Sequence, residues 1–150
     1  MASVTSSFAV STWQPSAADG EKYFRPWIGG AFETGWSVNP HWVADLKALP
    51  NHPVSRGVTG LVQAYDEFYY NMRFPADRSK VLDLVTAVPT RENVKQYINL
   101  WNEHGVDGLG QTQTLMWGLE RADGGRGVGH AHADEDGERQ GRGDDAFAEL

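Results

Sequence analysis

The chain has no cysteine among its 150 residues. That removes disulfides, thiolate zinc sites and a cysteine nucleophile together. It also has no apolar run near the roughly 18 residues that a membrane span needs, and "MASVTSSFAV" offers neither a positive n-region nor a long apolar h-region. The expectation is therefore a chain without a leader or a membrane partner, cytoplasmic by default. Positive charge is scarce too: thirteen Lys and Arg stand against twenty Asp and Glu, a net charge of −7. Nucleic acid as a partner would require a basic patch to neutralise phosphates, and none is visible. Eight acids against four arginines place −4 of that charge in residues 121–150.

What is present is enough for one core. The length suits a single domain, 40% of the residues are hydrophobic, and six Trp, five Tyr and six Phe make an aromatic-rich interior. "SVTSSFAV" reads as a short strand and "GEKYFRPWIGG" as a short helix that Gly29-Gly30 ends. In "NPHWVADLKALP", Asn39 can cap, Pro40 suits the first turn, and Trp42, Val43, Leu46 and Leu49 form a helical stripe, so a helix is predicted over about 40–48. "GVTGLVQAYDEFYYNMRF" changes period, with Phe68, Tyr70, Met72 and Phe74 on one side and Tyr69, Asn71 and Arg73 on the other, which is strand alternation. "KVLDLVTAVP" reads as a buried strand. "TRENVKQYINLWNEHG" reads as a helix with Val94, Tyr97, Ile98 and Trp101 on its stripe. "QTLMWGLERADGGRGVG" reads as a hairpin closed by an Asp-Gly-Gly turn. Residues 1–129 would form the domain and 130–150 an acidic, Gly-rich tail with no large apolar residue from His130 to Gly143. Helices between strands argue for an α/β fold with a mixed sheet.

Four blocks carry a family likeness: "WIGGAFETGWSVNPHW" (27–42), "LPNHPVSRGV" (49–58), "YDEFYYNMRF" (65–74) and "LMWGLERADGGRGVG" (115–129). In these the chain resembles the C-terminal part of a ThuA-like (trehalose-utilization) domain. The resemblance implies a flavodoxin-like three-layer α/β sandwich, like that of class I glutamine amidotransferases, and a connection with carbohydrate utilization. Two departures stand out. Ser7 occupies the place where the family often has a histidine after further strands, and "ADEDGERQGRG" replaces the Asn-Trp part that usually follows Gly-His-x-His, of which His130 and His132 remain.

The candidate ligand residues are His52, Arg56, Glu67, Tyr69 and Tyr70, as a polar-aromatic pocket for a sugar, together with His130 and His132. Most of the "HPVSRGV" block is explained by turn chemistry: Pro53 restricts φ, Gly57 permits a positive one, and Ser55 or Arg56 can satisfy backbone groups. Asp66 and Glu67 are adjacent on a strand and point to opposite faces, so they cannot work as a paired acid and base; one of them could pair with Arg56 or Arg73. "HAHADED" has metal-like spacing without the rigidity a site requires, so neither metal nor cofactor is expected. No Gly-x-Ser-x-Gly elbow is present, and no reaction is implied. Two other readings stand beside sugar utilization: a non-catalytic interaction domain, homo-oligomeric through an exposed sheet edge, and a truncated or frame-shifted fragment without activity of its own.

Overall fold

A computed structural model describes residues 6–7, 17–58, 62–94 and 102–131. A helical segment runs from α1 (Ala17–Asp19) through a π-helical turn (Gly20–Phe24) into α2 (Arg25–Ile28). Gly29 ends it at φ 88°, and its N–H closes back onto the Arg25 carbonyl at 3.0 Å, a left-handed helix stop that glycine takes without Cβ strain. Six strands follow one another along the chain: β1 (Ser6–Ser7), β2 (His41–Ala48), β3 (Val62–Glu67), β4 (Val81–Ala87), β5 (Gln113–Glu120) and β6 (Arg126–His130). They make one sheet in the order β1-β6-β5-β4-β2-β3. Only the two-residue β1 runs parallel to its neighbour; β6, β5, β4, β2 and β3 pair antiparallel.

The flavodoxin-like three-layer α/β sandwich is therefore not the fold of this chain. The described residues form a mostly antiparallel, curled half-barrel with one short helical segment, not a sheet covered by helices on both faces. The decisive departure is residues 40–48, where the sequence predicts a helix and the chain forms β2. Burial there alternates: Trp42, Ala44 and Leu46 are inside while Val43, Asp45 and Lys47 are out. A helix would have buried Val43, which is 41% exposed, and exposed Ala44, which is wholly buried. Trp42 and Leu46 satisfy both periods, so the partner strand decides: six rungs from His41↔Glu67 to Leu46↔Val62 give the backbone its hydrogen bonds in β3. Of the helix expected over 90–105, residues 95–101 lie outside the described residues; Glu103–Val106 is a 3₁₀ turn.

Of "SVTSSFAV" only Ser6–Ser7, β1, falls among the described residues, and "KVLDLVTAVP" forms β4 but is not a buried strand: Leu84 and Ala87 are inside while Leu82 is 42% exposed. Phe68, Tyr70 and Met72 are buried and Tyr69, Asn71 and Arg73 are only partly so, although Phe68–Phe74 makes isolated bridges, Val38↔Tyr70 and Ala31↔Arg73, and no continuous strand. The hairpin forms from β5 and β6, with Glu120↔Arg126 as its last rung. Gly124 at φ 79° and the Arg121 N–H on the Gly125 carbonyl (2.8 Å) turn the chain. Pairing continues past residue 129: His130 pairs with Met116, and Ala131, fully buried, donates its N–H to Leu115 (2.7 Å) and accepts from Tyr69 (2.9 Å). His132 and the rest of the acidic tail lie outside the described residues.

Curvature follows from how the strands meet. β2 joins β4 by two rungs, Lys47↔Thr86 and Ala48↔Val85, and β4 shifts register against β5 around Val85. The β2–β3 ribbon therefore swings away from the hairpin end, as bulged and weakly paired sheets do. Val38, Trp42, Ala44, Leu46, Phe68 and Tyr70 form one core cluster, with Trp42 Nε1 donating to the Phe68 carbonyl (2.8 Å). In a second cluster, Trp117 is completely buried among Phe32, Met72 and Ala131, edge-on to Phe74 at 5.2 Å, and donates its Nε1–H to the Ile28 carbonyl. Its indole lies against backbone: a Cβ on Gly30 would meet it at 2.6 Å and one on Gly129 at 2.4 Å. Trp117→Ala is expected to cost ~3–5 kcal/mol and Gly129→Ala ~1–3 kcal/mol in chemical denaturation; a Gly129→Ala protein as stable as the parent would contradict the packing of Trp117 on that strand.

Candidate functional site

The proposed pocket residues do not come together. His52 and Arg56 follow the far end of β2, whereas Glu67 pairs with His41 at the near end; the length of β2 alone separates the two groups by roughly 20 Å at about 3.3 Å per residue. His52 caps the 3₁₀ turn Pro53–Ser55, its Nδ1 accepting from the Val54 N–H at 3.2 Å. Ser55 Oγ donates to the Leu49 carbonyl and Gly57 stands at φ 90°. Arg56 is exposed and makes no side-chain hydrogen bond among the described residues. The block turns a corner, and its histidine is part of the corner.

Glu67 accepts from Asn39 Nδ2 at 3.0 Å on the outer face of the β2–β3 ribbon, where Tyr65 is 64% exposed with its ring 6.2 Å from that of His41. Asp66 pairs with Trp42 and turns its Oδ1 to the Glu67 N–H. Arg73 bonds to Glu33. Tyr69 packs edge-on against Phe32 at 5.4 Å. Tyr70 is 1% exposed and donates its hydroxyl to the Gly105 carbonyl, so it offers no face to a sugar. Burial pushes both phenols up to about 12, helped at Tyr69 by the Glu67 carboxylate. His130 lies on β6, partly buried.

The "DEFYYNMRF" block has a different product. With "WIGGAFETGW" and the turn Glu103–Val106 it assembles a charged-aromatic cluster. Arg73 forks Glu33 through Nε to Oε2 (3.0 Å) and Nη2 to Oε1 (3.2 Å), and Arg25 Nη2 reaches the same Oε2 at 3.4 Å. The Arg73 guanidinium lies 3.6 Å over Trp36, and the His104 ring stacks on the same tryptophan with centroids 4.0 Å apart. Asp107 Oδ2 stands 2.8 Å from His104 Nδ1. A carboxylate only accepts, so the Nδ1 carries the proton in this contact.

Asn71 holds this cluster together. It sits at φ 55°, in the left-handed region that asparagine tolerates better than most residues. Its N–H donates to Gln113 Oε1 (3.0 Å), its carbonyl accepts from Ser37 Oγ (2.8 Å) and its Nδ2 donates to the His104 carbonyl (2.8 Å). Ser37 Oγ also accepts the Glu33 N–H (3.0 Å), and Asn102 joins the Ser37 carbonyl (2.9 Å) to the His104 N–H (2.9 Å). Gly108 is required at this approach, since a Cβ there would stand 2.4 Å from Asn71 Oδ1.

Chemically the cluster offers guanidinium donors, carboxylate acceptors, an oriented imidazole and an indole, all partly open to solvent. That mixture can hold a polar ligand by several directed hydrogen bonds. Sequence reading did not single out Arg25, Glu33, Trp36, His104 or Asp107. The one local signal was "HGVDGLG", a His-x-x-Asp spacing in a glycine-rich turn. Among the described residues no group of three or more His, Asp or Glu is placed to hold a metal. Scans against protein-family models, curated proteins and solved structures find no match to this chain.

Asn71→Ala removes the tether to His104 and leaves alanine in a left-handed conformation, so a loss of ~1–3 kcal/mol is expected, with the 102–107 turn gaining hydrogen-exchange rate before the strands do; unchanged exchange there would refute the tether. The tyrosines give a pH test. Their folded pKa of about 12 exceeds the ordinary 10.0, so the unfolded chain ionises first, and the stability they supply is complete below pH 10 and drains away between there and about 12. Ultraviolet titration should show two of the five tyrosines ionising late, and Tyr70→Phe should remove one late step.

Proposed function

We propose that this chain serves carbohydrate utilization by binding a sugar or sugar derivative at the Trp36 cluster. The ligand class rests on the ThuA-like resemblance. The observation that carries the location is the convergence, on one indole, of the Glu33–Arg73 fork and the His104–Asp107 pair. Two of the blocks that carry the resemblance meet there, and hydroxyl-rich ligands are recognised by such groupings of directed donors and acceptors around an aromatic side chain. No reaction is assigned.

A second reading is favoured by one observation. β3 is terminal in the sheet order, and Val62, Tyr65 and, across the ribbon, Val43 are exposed; a strand edge of this kind can pair with a second chain. A concentration-dependent dimer by size exclusion, dispersed by Tyr65→Lys and indifferent to sugars, would favour it.

Calorimetry and tryptophan emission with trehalose, glucose and their oxidised derivatives test the first reading. Saturable binding is expected, weakened at least tenfold in Arg73→Ala, since a charge-assisted fork is worth about 1.5–3 kcal/mol. His52→Ala should bind as the parent does. Binding lost in His52→Ala and kept in Arg73→Ala would move the site back to the turn after β2.

A further inference from the structure

Arg25 is the least well partnered charge in the cluster. Its side chain is 18% exposed, so more than four-fifths of it has left water. Yet its hydrogen bonding among the described residues is one 3.4 Å contact from Nη2 to Glu33, and its Nε is buried with no acceptor. A guanidinium carries five N–H donors, and a charge drawn out of water with so few partners is costly unless something else compensates it. Glu33 is shared between the two arginines. Its Oε2 accepts from Arg25 Nη2 and Arg73 Nε and its Oε1 from Arg73 Nη2, so one negative charge is divided between two cations. Asp107 is engaged with His104. Lys22 does not intervene; its ammonium lies over Tyr23.

Two guanidinium groups on a shared carboxylate, with N–H donors left over, can receive an oxyanion. We propose that Arg25 and Arg73 bind the carboxylate or phosphate group of an acidic sugar derivative, with Glu33 holding the two guanidinium planes in place. This deepens the saccharide reading and rests on it for the sugar part of the ligand; the oxyanion part stands on Arg25 and Arg73 alone.

The experiment is a calorimetric titration of the whole chain with glucose, glucuronate, glucose 6-phosphate and inorganic phosphate. Glucuronate or glucose 6-phosphate should bind at least about tenfold more tightly than glucose, because the added interaction is a charge-assisted pair; which of the two binds better identifies the source of the oxyanion. Arg25→Met, which keeps the apolar stem, should abolish the preference, and Glu33→Gln, which releases donors on both arginines, should strengthen phosphate binding. Should Arg25→Met fail to fold, Arg25→Lys keeps the charge without the fork and should lose most of the preference. Phosphate binding that needs Arg25, with no sugar contribution, supports the oxyanion site and overturns the saccharide reading. Equal affinity for glucose and its acids, or phosphate binding indifferent to Arg25 and Glu33, overturns the proposal.

Discussion

The left-handed turn at Asn71 is the constraint on which the rest of the cluster depends. One residue spends its N–H, its carbonyl and its side-chain amide on three different segments: Gln113 on β5, Ser37 before β2, and His104 in the 3₁₀ turn. A backbone held at φ 55° persists where its surroundings over-determine it, and here they do. The same segment bridges Val38 at Tyr70 and Ala31 at Arg73, and Arg73 reaches Glu33 and Trp36.

Around that turn the sheet supplies rigidity and the loops supply chemistry. β4, β5 and β6 pair over most of their length, and Trp117 at their centre is packed so closely on Gly30 and Gly129 that the helical segment and the hairpin are clamped to one another. The junction of β2 with β4, two rungs long, is the looser joint. Functional groups on loops held by a stiff scaffold are a common arrangement. Here the loop from Gly29 to Pro40, the Phe68–Phe74 segment and the turn at 102–108 meet, each tied to another of the three by at least one side-chain-to-backbone hydrogen bond.

Electrostatics give the cluster its character. The chain as a whole is acidic, with a net charge of −7, and a surface of that sign discourages anions from binding at random. Against this background two partly buried arginines on one carboxylate are an island of opposite sign. Partly buried ion pairs are weak contributors to stability, whereas removal of one partner from such a group leaves the others uncompensated. The arrangement is therefore better understood as shaping what the site accepts than as holding the fold.

Local pattern was sufficient for the β5–β6 hairpin, the alternation from Phe68 to Met72, the stop at Gly29 and the positive φ at Gly57, because each depends on neighbours within a few residues: turn chemistry, side-chain period and the absence of a Cβ. It failed at residues 40–48, where Asn39-Pro40 resembles a helix start and Trp42 and Leu46 fit either period; pairing with β3, brought in from about twenty residues onward, settled the matter for a strand and with it the antiparallel half-barrel in place of an α/β sandwich. It failed again in choosing a histidine. His52, in a conspicuous motif, caps its own turn, while His104 acquires a role from Trp36 sixty-eight positions earlier, Asn71 thirty-three earlier and Asp107 beside it. Composition alone made a single aromatic core without disulfides. Which charges meet, and on which aromatic ring, depended on a left-handed residue and a glycine approach whose consequences lie far away in the chain, and only the folded arrangement brings those ends together.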